Sequence, residues 1–296
     1  MKALRTPEAR FAQLKDFPFQ PNYLELQGGL RMHYVDEGDR NGPVVLLLHG
    51  EPTWSYLYRK MIPVLVQAGF RVLAPDLIGF GRSDKLPKVS DYSYQSHLGW
   101  LNQFMDALAL KDITLFGQDW GSLLGLRLVG EQPDRFARVM ISNGFLPTGE
   151  RKPNLAFKLW RAFSLNSPWF PIGKIVNSGV VTKLSRDEIA AYDAPFPSRK
   201  YKAATRAFPA LVPMSEKDPA SPGNKKAWAS LGQFTKPFLC VYGKNDPVLG
   251  GVDKYLIAQV PGAKGQPHER TWGGHFVQED RGEYLAERLV SWAKAA

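Results

Sequence analysis

Short apolar runs alternate with segments of helical spacing along most of the chain. Runs such as residues 44–49, which are bounded by glycine or proline, are typical of buried strands. Because fully apolar strands that alternate with helices indicate a parallel sheet covered on both faces, we predict a doubly wound α/β domain. The predicted strands are residues 30–35, 44–49, 71–75, 113–116, 138–142, 238–242 and 269–271, and the predicted helices are residues 56–67, 94–108, 122–131, 253–259 and 282–294.

The alternation stops at residue 144 and resumes near residue 238. The segment between is rich in Pro, Lys, Phe and Trp, and it shows amphipathic helical patterns but no convincing strand. An insertion at the carboxyl end of a strand in such a sheet lies over the ligand crevice. We therefore predict a core domain of residues 1–146 and 224–296, with residues 147–223 inserted as a helical cap, or lid.

The composition is that of a globular chain. Of 296 residues, 44% are hydrophobic and 22% are charged, which excludes a disordered or fibrous protein. No apolar run reaches the roughly 18 residues of a membrane span, and residues 1–19 lack the apolar stretch of a secretory signal. The one cysteine, Cys240, lies in a predicted buried strand, where a thiol fills the core and is inert. These features predict a protein of the reducing cytoplasm.

The net charge of +10 raises the question of a nucleic acid partner. The excess is concentrated in residues 147–235, where 14 Lys and Arg stand against 6 Asp and Glu. No block of five like charges occurs, and no basic stripe is interleaved with aromatic residues. We therefore interpret the excess as a solvated basic face, and we predict neither a nucleic acid nor a membrane partner.

The most informative motif is Gly117-Gln118-Asp119-Trp120-Gly121, which lies between a predicted strand and a predicted helix. This is the frame of the nucleophile elbow, G-x-S-x-G, with aspartate in place of serine. Aspartate is ionised at neutral pH and can attack a saturated carbon directly, which forms an ester. Water must then hydrolyse that ester, and this step needs a base. The alternative is that Asp119 only caps the following helix.

Three further positions support a catalytic interpretation of Asp119. The loop after residues 44–49 is the usual place of an oxyanion hole, so the amides of Glu51 and Trp120 are candidates for it. His275 lies between the last predicted strand and the last helix, as the base of such hydrolases does. Asp246 ends the strand 238–242 and could orient this histidine. The alternatives are a turn aspartate before Pro247, and the end of the preceding strand, where Asn143 carries no charge.

No metal or cofactor site is predicted. The five histidines form no i, i+4 pair, and no carboxylate cluster has ligand spacing. Residues 79–84 begin like a dinucleotide fingerprint but lack its third glycine, so we interpret them as a loop.

Four motifs of the core and two of the cap form a recognisable combination. They are residues 49–56 (HGEPTWSY), 76–84 (DLIGFGRSD), 118–121 (QDWG) and 274–276 (GHF), with residues 192–197 (YDAPFP) and 207–209 (AFP) in the cap. Together these motifs resemble those of the haloalkane dehalogenases, a family of the α/β-hydrolase superfamily. The similarity extends over essentially the whole chain, and its cap portion resembles the subfamily typified by 1,2-dichloroethane dehalogenase, which carries its acid where Asp246 stands. The resemblance implies the α/β-hydrolase fold, a mostly parallel sheet flanked by helices with an inserted helical cap.

The resemblance implies that Asp119 displaces halide from a small halogenated alkane, and that water assisted by His275 and Asp246 then hydrolyses the alkyl ester. The products are an alcohol, a halide ion and a proton, with no cofactor. Indole N–H groups would hold the halide; the resemblance assigns Trp120 and, in the cap, Trp160, with Trp169 as the rival. The residues expected to line an apolar pocket are Phe145, Phe157, Phe208 and Pro209.

Other functions remain open at this point. Epoxide hydrolases share the fold and the aspartate, and they use a pair of cap tyrosines, for which Tyr192 and Tyr201 are available. Fluoroacetate dehalogenases generally carry an arginine where Trp120 stands, which argues against that function because an indole cannot bind a carboxylate bidentately. A hydrolase-like binding protein is disfavoured because all the reactive groups are present. We expect a monomer.

Overall fold

One sheet of eight strands forms the centre of the computed structural model, which describes residues 3–295. The strands are β1 (Asn22–Glu25), β2 (Arg31–Glu37), β3 (Val44–Leu48), β4 (Arg71–Pro75), β5 (Ile113–Gln118), β6 (Phe136–Ser142), β7 (Phe238–Gly243) and β8 (Glu269–Thr271). Their order in the sheet is β1-β2-β4-β3-β5-β6-β7-β8. The pairs from β4 to β8 are parallel, whereas β2 is antiparallel to both β1 and β4. The predicted α/β sheet is thereby confirmed.

Helices flank this sheet and form the inserted segment. Those of residues 3–295 are α1 (Ile62–Gln67), α2 (Tyr94–Ala107), α3 (Trp120–Glu131), α4 (Leu155–Asn166), α5 (Ile172–Ser178), α6 (Arg186–Asp193), α7 (Ala203–Leu211), α8 (Ser221–Leu231), α9 (Asp253–Gln259) and α10 (Val277–Ala295). None of them is long and apolar enough to cross a membrane. Residues 147–223 hold α4 to α7 and none of the strands. The predicted boundary at residue 223 falls inside α8, which packs on α3 of the core.

The structure departs from the prediction at residues 56–67 and at strand β1. The helix predicted over residues 56–67 is divided into a 3₁₀ turn (Ser55–Tyr58) and the short helix α1. Pro63 explains the division, because proline has no N–H to donate and its ring clashes with the preceding turn, so it lies in the first turn of α1 instead. Strand β1 was not predicted, since it is a four-residue edge strand with no buried residue and therefore gives no apolar run.

The carboxyl ends of the central strands meet at one edge of the sheet. The loops that follow β3, β5, β6, β7 and β8 all open on this edge. The strands β3 and β5 lie in the middle and are almost entirely buried, which explains the unbroken apolar sequence of β3 and the mostly apolar sequence of β5. This arrangement brings together side chains that are far apart in the sequence.

Candidate active site

Asp119 stands at the sharp turn between β5 and α3. Its backbone has φ 49° and ψ −125°, a conformation that is strained for a residue with a side chain. A Cβ on Gly121 would lie 1.8 Å from the carbonyl oxygen of Leu48, and a Cβ on Gly117 would lie 2.9 Å from the carbonyl oxygen of Gly121. The turn therefore requires both glycines of the predicted elbow.

The carboxylate of Asp119 faces one backbone donor and one imidazole. Its Oδ1 accepts a hydrogen bond from the backbone N–H of Glu51 at 2.7 Å. Its Oδ2 lies 3.6 Å from Nε2 of His275. The side chain makes no capping hydrogen bond to α3, so the alternative that Asp119 only caps this helix is wrong.

His275 is oriented by Asp246. Its Nδ1 lies 2.8 Å from Oδ2 of Asp246, and the same oxygen accepts a hydrogen bond from the side-chain amide of Asn143 at 2.8 Å. The other oxygen, Oδ1, accepts hydrogen bonds from the backbone N–H groups of Val248 and Leu249 at 2.8 and 3.1 Å. Asp246 is only 5% exposed, and its carboxylate is satisfied by these partners.

The two residues hold opposite charges. Burial alone would raise the pKa of Asp246, but the charge of His275 and the hydrogen bonds to the carboxylate outweigh it and lower the pKa to about 2. Burial would likewise lower the pKa of His275, but the nearby carboxylates of Asp246 and Asp119 raise it to about 10. At neutral pH the pair is therefore a carboxylate and an imidazolium.

Two supporting residues were not predicted to take part in the site. Asn143 has a positive φ of 40°, and its Oδ1 accepts a hydrogen bond from the backbone N–H of Gly243 at 2.7 Å while its amide holds Asp246. The Nε2 of Gln118 donates to the carbonyl oxygen of His275 at 3.0 Å. Two features of the sequence could have indicated Asn143. It follows β6 at the edge of the sheet where the other site residues lie, and asparagine tolerates a positive φ.

A cavity of about 640 Å³ opens above these groups. Asp119, Trp120 and His275 lie at its catalytic end, and Glu51 lines it beside them. Burial, together with the charge of Asp119, holds the pKa of the Glu51 carboxyl well above its usual range. Of the predicted pocket residues, the cavity wall includes Phe145, Phe157 and Pro209.

The two predicted halide donors both line the cavity. The side chain of Trp120 follows the nucleophile, and Trp160 comes from α4 of the inserted segment. Within residues 3–295, neither indole N–H has a hydrogen-bond acceptor, whereas three other tryptophans donate to oxygen atoms. Trp169, the rival to Trp160, is 61% exposed and lies outside the cavity wall.

The prediction that Phe208 lines the pocket requires correction. Phe208 is fully buried and absent from the cavity wall, and its ring packs edge-on against Trp120 with 4.4 Å between the ring centroids. Neighbouring residues on a helix point about 100° apart, so α7 can turn Pro209 to the cavity and Phe208 into the core. Phe208 thus packs against Trp120, a residue of the cavity wall, without lining the cavity itself.

The cap tyrosines expected of an epoxide hydrolase also lie outside the cavity wall. Tyr192 is fully buried, and its hydroxyl donates a hydrogen bond to Glu279. Tyr201 is partly buried against the core. Among residues 3–295, no group of three or more His, Cys, Asp or Glu side chains is arranged to hold a metal ion.

Comparison with known proteins agrees with this geometry. A family model described as the alpha/beta hydrolase fold matches residues 43–282. The chain is 56% identical to a haloalkane dehalogenase of Mycolicibacterium paratuberculosis, with 100% of this chain and 99% of that protein covered. It is 54% identical to haloalkane dehalogenase 1 of Mycobacterium tuberculosis, with 100% of both covered. The solved structure of the tetrameric haloalkane dehalogenase DpaA from Paraglaciecola agarilytica superposes with a TM-score of 0.91 at 40% identity and covers 97% of each chain.

The sheet, the elbow and the matched family model define an α/β hydrolase. Within that class, the identity over the full length shows that the chain belongs to the haloalkane dehalogenase family. The predicted fold class and the predicted family are both confirmed.

Proposed function

We propose that this chain hydrolyses the carbon–halogen bond of small halogenated alkanes through a covalent ester of Asp119. The observation that carries the proposal is the position of this carboxylate in an apolar cavity, held by the amide of Glu51 at 2.7 Å and facing His275 at 3.6 Å. A carboxylate attacks without first losing a proton, so the site needs no base in the first step. Membership of the family supports the same reaction.

In the first step, a carboxylate oxygen of Asp119 attacks the carbon that bears the halogen. The new carbon–oxygen bond forms as the carbon–halogen bond breaks, and the bonding electrons leave with the halide. The indole N–H groups of Trp120 and Trp160 are the proposed donors to this ion, because both line the cavity without an acceptor among residues 3–295. An N–H donor without an acceptor of its own suits an anion in an apolar wall.

In the second step, water hydrolyses the ester. Esterification removes the charge of Asp119, which is one of the two carboxylates that raise the pKa of His275. The pKa of the imidazole therefore falls, and His275 releases its proton to solvent. The neutral imidazole then accepts a proton from the attacking water, while Asp246 stabilises the cation that forms. The reaction consumes one water and releases one alcohol, one halide ion and one proton.

The backbone amides of Glu51 and Trp120 are the proposed oxyanion hole. Glu51 already donates to Oδ1 of Asp119, the oxygen that would become the ester carbonyl oxygen. Trp120 follows Asp119 directly and begins α3, so its amide is at the positive end of that helix. Such donors stabilise the negative charge that develops when water attacks the ester.

Epoxide hydrolysis is the less favoured alternative. That reaction needs an acid to protonate the epoxide oxygen, and both Tyr192 and Tyr201 lie outside the cavity wall. The hydroxyl of Tyr192 is also committed to Glu279. The position of these phenols therefore favours halide displacement.

The proposed reaction is tested by product analysis. The protein is incubated separately with 1-bromobutane, 1,2-dibromoethane and styrene oxide, and bromide and diol are measured. We expect bromide from both alkanes and no diol, and we expect the variant Asp119→Ala to release no bromide. Diol from the epoxide without bromide from the alkanes would contradict the proposal and favour an epoxide hydrolase; neither product would favour a binding protein.

We also propose that residues 147–223 form a cap over the cavity, that the protein acts as a monomer, and that it resides in the cytoplasm. The cap proposal is supported by Phe157, Trp160 and Pro209, which come from α4 and α7 and line the cavity. Because DpaA is described as tetrameric, light scattering is the deciding measurement for the oligomeric state.

A further inference from the structure

Part of the cavity wall is aromatic. Phe145, Trp228 and Tyr255 all line it and pack on one another, with ring centroids 5.8 Å apart for Phe145 and Trp228 and 5.1 Å apart for Trp228 and Tyr255. The guanidinium carbon of Arg151 lies 3.8 Å from the centroid of the Tyr255 ring. Arg151 also lines the cavity, so this wall ends at a cation.

Basic residues of this part of the cavity wall lack acidic partners among residues 3–295. Glu150, Arg151 and Lys152 line the cavity where the inserted segment begins. Glu150 forms an ion pair with Lys225 at 2.9 Å. Arg151 and Lys152, in contrast, form no ion pair with any acidic group of residues 3–295. The wall at residues 151–152 therefore presents two cations without an acidic partner in that range, and the same cavity is lined by Asp119 and His275.

The stacking of Arg151 prepares it for a planar anion. A guanidinium that lies flat on an aromatic ring keeps its N–H groups free along its edge. Those donors match the two oxygens of a carboxylate, which arginine binds bidentately. Arg151 is exposed, but the Tyr255 ring on which it stacks packs on both Phe145 and Trp228, so the guanidinium rests on a packed aromatic wall.

The cavity has room for a substrate larger than a four-carbon alkane. Its volume of about 640 Å³ lies within the range of roughly 300–1,000 Å³ that holds drug-sized ligands. A carboxylate directly beside the reacting carbon is not expected, because Trp120 rather than an arginine follows the nucleophile. A substrate with several methylene groups between its carboxylate and the reacting carbon suits both Arg151 and Asp119, and its apolar chain can lie along the aromatic wall.

We propose that the substrates of this chain include ω-haloalkanoates, with the carbon–halogen bond at Asp119 and the carboxylate at Arg151. This inference rests on the function proposed above and deepens it. Hydrolysis of such a substrate gives an ω-hydroxyalkanoate, a halide ion and a proton, and it needs no reactant besides water. Because Arg151 would contact the carboxylate and not the reacting carbon, it contributes to binding and lowers KM rather than raising kcat.

The test compares ω-bromoalkanoates of four to eight carbons with ω-bromoalkanamides of the same length, which are neutral and of similar shape. Bromide release gives kcat and KM for the wild-type protein and for Arg151→Gln. We expect the wild type to prefer the acid at the best chain length, and Arg151→Gln to raise KM for the acid about fivefold while KM for the amide and both kcat values stay unchanged. Lys158→Gln is the matched control, since Lys158 is an exposed residue of α4 outside the cavity wall.

The outcomes separate this inference from the proposed function. The carboxylate site would be overturned if the wild type had the same kcat and KM for acid and amide, or if Lys158→Gln raised KM for the acid as much as Arg151→Gln does. In either case, bromide release from 1-bromobutane would leave the proposed function intact. Arg151→Gln could instead change inhibition by bromide with both substrates and leave the ratio of KM for acid to KM for amide unchanged. That result would show that Arg151 retains halide, and it would also overturn the carboxylate site. If neither the bromoalkanoates nor 1-bromobutane release bromide, the proposed function fails as well.

Discussion

Asp119 and His275 lie 3.6 Å apart, so the charge of one controls the protonation of the other. In the resting protein, burial lowers the pKa of the imidazole, but Asp246 and Asp119 raise it to about 10. His275 is therefore a cation at neutral pH and cannot act as a base until Asp119 is esterified. Under the proposed mechanism, the rate of ester hydrolysis therefore depends on pH, whereas the rate of the first step does not.

The first prediction concerns that response. We expect the rate of the first halide burst to be constant between pH 6 and 9, because attack by Asp119 requires no deprotonation. Hydrolysis of the ester should slow as the pH falls, because a protonated His275 cannot accept a proton from water. Rapid-quench measurement of halide and alcohol at several pH values resolves the two steps. A burst rate that falls tenfold per pH unit below pH 7 would mean that the first step also needs a base.

The sequence predicted the three side chains that meet at this site better than the residues that hold them in place. Asp119, His275 and Asp246 were identified because each has a reactive side chain at the end of a predicted strand or in a motif. Asn143 and Gln118 were not, because their contribution depends on hydrogen bonds across loops that have no fixed spacing in the sequence. Phe208 was assigned to the pocket because an apolar residue in the cap gives no sign of which way it faces.

At the level of elements, the position of the nucleophile depends on how closely α3 approaches β3. The backbone of Gly121 lies so near to Leu48 that a Cβ would come within 1.8 Å of its carbonyl oxygen. That contact is with backbone, so it cannot be relieved by turning a side chain. The elbow is thus fixed by the packing of two elements as much as by its own turn.

The second prediction tests this packing. Gly121→Ala should destabilise the protein by about 3 kcal/mol or more, because the helix must move away from the sheet. Gly99→Ala is the control, because Gly99 lies inside α2 and a Cβ there would have no other atom within 4 Å, so this variant should gain roughly 0.5–1 kcal/mol from helix propensity. Urea denaturation measures both. A Gly121→Ala variant as stable as the wild type would contradict the close approach.

The elements themselves were largely predictable, and the exceptions have local causes. Strands such as β4 and helices such as α9 agree with the predicted bounds because a buried run or an amphipathic pattern defines them alone. Helix α10 begins five residues before the predicted start, and a kink at Arg281 separates its first turn from the rest. A sequence pattern averages over such a kink, so the early turn was missed.

At the scale of the whole molecule, a buried polar cluster joins the core to the inserted segment. Arg59 of the core donates to Glu279 of α10 at 2.8 Å and to Glu188 of α6 at 2.8 Å. Tyr192, also of α6, donates to the same Glu279. The Arg59 side chain and Glu279 side chain are fully buried, so each charge depends on its partners. This cluster holds α6 against the core, and none of its members lines the cavity.

The third prediction follows from this cluster. Tyr192→Phe should cost roughly 1.5–3 kcal/mol of stability, because it removes a hydrogen bond to a buried carboxylate, while kcat for bromoalkanes stays unchanged. Tyr284→Phe is the control: Tyr284 donates to the partly exposed Glu269, so its loss should cost less. Thermal unfolding and bromide release measure the two effects. Loss of turnover with unchanged stability would instead place Tyr192 in the chemistry, as the epoxide alternative requires.

The central claim is that an aspartate attacks carbon and that a histidine is needed only to release the product. The variant His275→Phe, incubated with 1-bromobutane and analysed by mass spectrometry of the intact chain and its peptides, tests it most directly. We predict release of one bromide per chain and a mass increase of one butyl group on the peptide that holds Asp119, with no adduct in the double variant Asp119→Ala/His275→Phe. A His275→Phe protein that is folded yet unmodified, or modified elsewhere, would contradict the account.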